Sequence, residues 1–102
     1  MNTTYFKDFL TIAELGSYEK AAEELYTTQS TLTKHIQKLE SELGTTLFDR
    51  TSRSVRLNEC GKIFLPYAQQ TLQIEHEYQM ALSSYTRETQ YTISIGSVTN
   101  IV

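Results

Sequence analysis

Two short segments hold the side chains best suited to gripping a polyanion. The first runs from Thr27 through Thr28, Gln29, Ser30, Thr33 and Lys34 to Lys38; it offers amides, hydroxyls and two ammonium groups and contains no acid. The second, Arg50 to Arg56, sets Arg50, Arg53 and Arg56 among hydroxyl residues, again without an acid. An amide such as Gln29 can pair with an adenine edge or a phosphate. Small hydroxyl residues such as Ser30 and Thr33 permit close approach, and Lys34 can reach a guanine or the backbone. Lys38, further along, suits a phosphate, and suits plain solvation nearly as well. Arginines such as Arg53 and Arg56 suit a narrow minor groove or the phosphates beside it. Arg50 stands next to Asp49, so a structural ion pair serves it at least as well.

Other chemistry finds no foothold. His35 and His76 are isolated, with no Cys or carboxylate at metal-ligand spacing, and Cys60 has no neighbouring His to activate it. There is no Gly-rich phosphate loop and no Ser/His/Asp set. Neither enzymatic activity nor a metal or cofactor is expected.

The net charge of −3 argues at first against a nucleic-acid partner. Phosphate contact depends on local charge, however, and the acids all sit outside the two basic segments. With 102 residues, 39% hydrophobic and 21% charged, the composition is that of a small globular domain. No run approaches a membrane span, and the start lacks the pattern of a signal peptide. With a single Cys, the expected compartment is the cytoplasm.

The elements that must position these groups are legible from spacing. Phe6, Phe9, Leu10 and Ala13 recur at i, i+3, i+4, i+7, one face of a first helix that Gly16 should stop. Ser17 is a natural cap for a short second helix with Ala21, Ala22 and Leu25 inward. Thr27 and Thr28 form a turn and the next cap. The third helix is expected over about 29–43, ending at Gly44. Leu32, Ile36, Leu39 and Leu43 form its apolar stripe, and Ser30, Lys34, Gln37 and Lys38 lie opposite. Helix, tight turn and a helix of this kind make a helix-turn-helix.

Beyond Gly44, β-branched and turn-forming residues predict two short strands joined near Thr51-Ser52-Arg53-Ser54, a wing. Asn58 should cap a fourth helix running to about Tyr85, roughly 40 Å at 1.5 Å per residue, with Pro66 a source of kinking. Phe64, Tyr67, Thr71, Ile74, Tyr78, Ala81 and Tyr85 follow a 3,4 spacing. Leu65, Ala68, Leu72 and Leu82 form an adjacent stripe. Two apolar stripes call for two partners, the chain's own domain and a second copy. Tyr91-Thr92-Ile93-Ser94-Ile95 alternates like a strand with no sheet to join.

The set Phe9, Ala13, Gly16-Ser17-Tyr18, Ala21-Ala22, Leu25, Gln29 to Lys34, Ile36, Leu39-Glu40, Leu43-Gly44, Leu47-Phe48-Asp49-Arg50, Leu57, Glu59 and Gly61 resembles the N-terminal region of LysR-type transcriptional regulators. The likeness covers nearly the whole chain. It departs at Thr27 (often apolar in the family), at Thr31 (usually Ala) and at Cys60 (often Ala). Ser30 stands where the family carries Pro or Ser. The resemblance implies a mainly α fold: a winged helix-turn-helix over 1–57, a linker and dimerisation helix over 58–87, and over 88–102 a hinge and the first strand of a missing effector-binding domain. It implies sequence-specific binding of a double-stranded DNA operator with dyad symmetry. Its contacts would be Thr28, Gln29, Ser30, Thr33, Lys34, Lys38, Arg50, Arg53 and Arg56. It further implies a homodimer, with dimer or tetramer open for the full-length protein, and a small-molecule effector bound only by the missing domain. A winged helix used for protein contact alone is the rival reading, favoured by the acidic total.

Overall fold

A computed structural model describes residues 2–49 and 54–94. By its internal contacts the chain divides into two units, Met1–Leu72 and Gln73–Val102. The first contains three short helices, a two-stranded sheet and the start of a fourth helix.

Helix α1 spans Thr3–Leu15. Asn2 caps it through its side-chain oxygen, which accepts from the Thr4 N–H at 2.8 Å. Gly16 ends it in the left-handed region at φ 66°, where a side chain would be strained. Ser17 then accepts from the Lys20 N–H and starts α2, Tyr18–Glu24. Helix α3, Gln29–Leu43, is capped by Thr28 and stopped by Gly44 at φ 77°. Strands β1, Phe48–Asp49, and β2, Arg56–Leu57, pair antiparallel, with Phe48 opposite Leu57 and Asp49 opposite Arg56. Helix α4 spans Glu59–Ser94 and contains Pro66.

The core of the first unit is aliphatic and aromatic. Phe9, Ile12, Leu32, Ile36, Leu39 and Leu47 are fully buried. Each such side chain contributes about 1.5–3 kcal/mol by leaving water. The predicted apolar faces of the first three helices turn toward the core, with Ile12 added to the first, and with Leu10, Ala13, Leu25 and Leu43 only half-buried. Phe9 lies between two rings, 5.4 Å from Phe48 and 5.2 Å from Phe64 between centroids. Phe64 also meets Phe6 edge-on at 5.3 Å. Phe64, expected on the seam between copies, is half-buried and packs against the core of its own chain. The turn of α4 that carries it also carries Leu65 and Ala68, and Ala68 is fully buried.

The start of α4 is fixed by polar contacts. Asn58 Oδ1 accepts from the Gly61 N–H at 2.8 Å, and the Asn58 N–H donates to the Leu47 carbonyl at 2.9 Å. Gly61 has no room for a side chain: a Cβ there would lie 2.2 Å from the Leu47 oxygen.

The wing is present as two-residue strands. Its alternation is as expected, with Arg56 exposed and Leu57 half-buried. The Val55 N–H donates to the Gly16 carbonyl at 3.2 Å, tying the wing to the turn after α1. The wing tip, 50–53, lies outside the described residues, as do 95–102.

One expectation is corrected. Helix α4 does not end near Tyr85 but continues through Ser94, so Tyr91–Ser94 are helical rather than the start of a strand. No Gly or Pro interrupts the sequence between Pro66 and Gly96. A strand without a sheet leaves its backbone groups unpaired, whereas a helix satisfies them within the segment. Among the described residues no helix is long and apolar enough to cross a membrane.

Candidate nucleic-acid interface

The turn between α2 and α3 sets the start of α3. The Leu25 N–H donates to Ala21, and the Thr27 N–H to Ala22 at 2.9 Å, so the chain closes tightly after α2. Ala21 and Ala22 are buried, and their small size lets the two helices approach closely. The Thr28 hydroxyl accepts from the Thr31 N–H at 3.1 Å and donates to the Thr31 hydroxyl at 2.9 Å. Thr28 is thus occupied as a cap.

Immediately after it, Gln29 and Ser30 are exposed, as are Lys34, Gln37 and Lys38 one and two turns on. Thr33 is half-buried between these and the core. On the opposite side Leu32, Ile36 and Leu39 have no exposure at all. The first turn of α3 contains no acid, and neither does the exposed face as far as Lys38. Free backbone N–H groups at this end add a partial positive charge to the two lysines. An exposed, acid-free set of amide, hydroxyl and ammonium groups on a helix anchored by its other face can hydrogen-bond a polyanion without moving the core.

Arg56 is exposed on β2, with Asp49 opposite it in the ladder. An acid in that register offsets part of the guanidinium charge. Arg50 and Arg53 fall outside the described residues. No group of three or more His, Cys, Asp or Glu is placed to hold a metal among the described residues.

Two buried acids hold this face in position, and the spacing argument did not assign either. Asp8 on α1 is buried and hydrogen-bonds His35 on α3, Oδ2 to Nδ1, at 2.5 Å. The Tyr5 ring lies over His35 at 4.7 Å. Glu40 is also buried, and its Oε2 accepts from the Leu47 N–H at 2.8 Å, tying α3 to the approach of β1. A signal was available for both. Asp8 stands three residues after Tyr5 and four before Ile12, and Glu40 four after Ile36 and three before Leu43. A carboxylate on a core face requires a partner.

The family profile described as bacterial regulatory helix-turn-helix protein, lysR family, matches residues 4–62. The chain belongs to the LysR family. It is similar to the HTH-type transcriptional regulator HdfR of Yersinia enterocolitica, 34% identical over 102 residues, which is 99% of this chain and 34% of HdfR. An uncharacterised HTH-type transcriptional regulator from the ibpB-leuC intergenic region of Azotobacter vinelandii is 33% identical over 95% of this chain and 67% of its own length. Among solved structures, the CbnR_DBD–DNA complex superposes with a TM-score of 0.79 at 29% identity, over 84% of this chain and 99% of that one. The fold is therefore the winged helix-turn-helix of LysR DNA-binding domains, and the family is one of DNA-binding transcription regulators rather than enzymes.

Proposed function

We propose that this chain reads a double-stranded DNA operator as a homodimer, with the N-terminal half of α3 in the major groove. Gln29, Ser30, Thr33 and Lys34 meet base edges. Lys38 and Arg56 meet phosphates, as do the backbone N–H groups at the Thr28 cap, and the wing arginines Arg50 and Arg53 reach toward the flanking minor groove. The observation that carries this reading is the division of α3 into a fully buried apolar face and an exposed, acid-free polar face. In the second unit Ile74, Tyr78 and Tyr85 are exposed. With Tyr67, Thr71 and Ala81 they supply the dimer seam by their 3,4 spacing. Two copies related by a two-fold axis present two α3 helices to neighbouring grooves, which calls for an operator with dyad symmetry. Because the chain spans only 34% of HdfR, we assign effector binding to a further C-terminal domain. The regulator would act on DNA in the cytoplasm.

Selection of bound duplexes from random DNA tests this, with the Gln29→Ala, Lys34→Ala double variant in parallel. The expected result is enrichment of a dyad-symmetric motif by the wild-type chain and its loss in the variant. Absence of enrichment even at low salt would favour a winged helix used only for protein contact.

A further inference from the structure

The turn between α2 and α3 contains a conformational cost that packing within the chain does not explain. Tyr26 has φ 55°, the one positive φ at a non-glycine among the described residues. That region crowds the Cβ, and Gly or Asn is its usual occupant. The backbone there is well used. The Tyr26 N–H donates to Glu23 at 3.3 Å and closes α2 two residues before the cap of α3. The geometry needs this backbone; it does not need a phenol. The Tyr26 side chain is 95% exposed, so burial against its own chain offsets none of the strain.

The position of the residue suggests what does. Tyr26 stands three residues before Gln29, on the turn that leads into the exposed end of α3. When the first residues of such a helix meet base edges, the turn ahead of them borders the groove, where the sugar–phosphate backbone runs. Tyrosine hydroxyls are among the groups that position proteins on phosphate. We propose that Tyr26 is a DNA-backbone contact, its phenol donating a hydrogen bond to a phosphate oxygen beside the groove that α3 enters. This rests on the DNA-binding reading above.

Two consequences separate this role from the others on the face. Phosphates are common to all sequences, so Tyr26 adds affinity without selectivity. The donor is neutral and displaces no counterion, so the salt dependence does not change.

The test uses the whole 102-residue chain, a duplex enriched by the wild-type chain from random DNA, and a scrambled duplex of equal length. Tyr26→Phe should weaken binding to both duplexes by about fivefold, with the salt slope and Tm unchanged. Tyr26→Gly should weaken binding at least as much while Tm holds or rises, because the strain is relieved. Affinities within about twofold of wild type for both variants would overturn the contact. So would a Tm that falls together with affinity, since the residue would then be structural. A wild-type chain that binds neither duplex would overturn the DNA-binding reading itself, and Tyr26 with it.

Discussion

Helix α3 and the first turns of α4 each bury one side, and the exposed sides of the two helices differ in kind. On α3 the water-facing positions up to Lys38 are amide, hydroxyl or ammonium. On α4 they include Ile63 and Tyr67 in the first unit, and Ile74, Tyr78, Met80, Leu82 and Tyr85 in the second. An exposed polar-basic face is stable in water and gains further from a polyanion. An exposed apolar face gains only by being covered, which calls for protein. In the proposed function, the difference corresponds to two kinds of partner for two helices of one small chain.

The largest effect is expected where the helices are alike, in what each must bury. Gly61→Val would press side-chain carbons into the Leu47 carbonyl, and should lower unfolding stability by about 3 kcal/mol in a denaturant titration. A loss below about 0.5 kcal/mol would mean that α4 is not held by this close approach.

Next comes the apolar face. Ile74→Glu with Tyr78→Glu should convert a dimer to monomers in sedimentation. It should weaken binding to a dyad-symmetric duplex by about a hundredfold, since the two readers no longer act together. An unchanged mass would end the assignment of this face to a second copy. The same variant should leave each protomer's preference among bases intact, which separates the α4 role from that of α3.

The smallest effect sharpens the other side of the comparison. Lys38→Ala should reduce the slope of log affinity against log salt by about 0.9 per protomer, with base preference untouched. No change of slope would return Lys38 to the plain solvated surface.

The helical part of the fold was legible because its punctuation is chemical. Ser17 and Thr28 cap, and Gly16 and Gly44 stop, by geometry set within a few residues. The polar face of α3 was legible for the same reason, since helical spacing alone sorts Leu32, Ile36 and Leu39 from Gln29, Ser30 and Lys34. Less was legible where a segment has two permitted states. The alternation at Tyr91–Ser94 fits a strand, but a helix satisfies its backbone groups within the segment, and these residues are helical.

What the sequence determined by itself was the number of helices, the stops of α1 and α3 at Gly16 and Gly44, most of their apolar stripes, and the two acid-free basic segments, all set by contacts within a few residues. What only the tertiary structure decided was which partner each shared or misplaced group meets. Asp8 reaches His35 across 27 positions, and Glu40 reaches the Leu47 N–H. Gly61 is required by the Leu47 carbonyl, and Phe64 meets the rings of Phe6 and Phe9. Those choices depend on distances between elements, and spacing along one element carries no information about them.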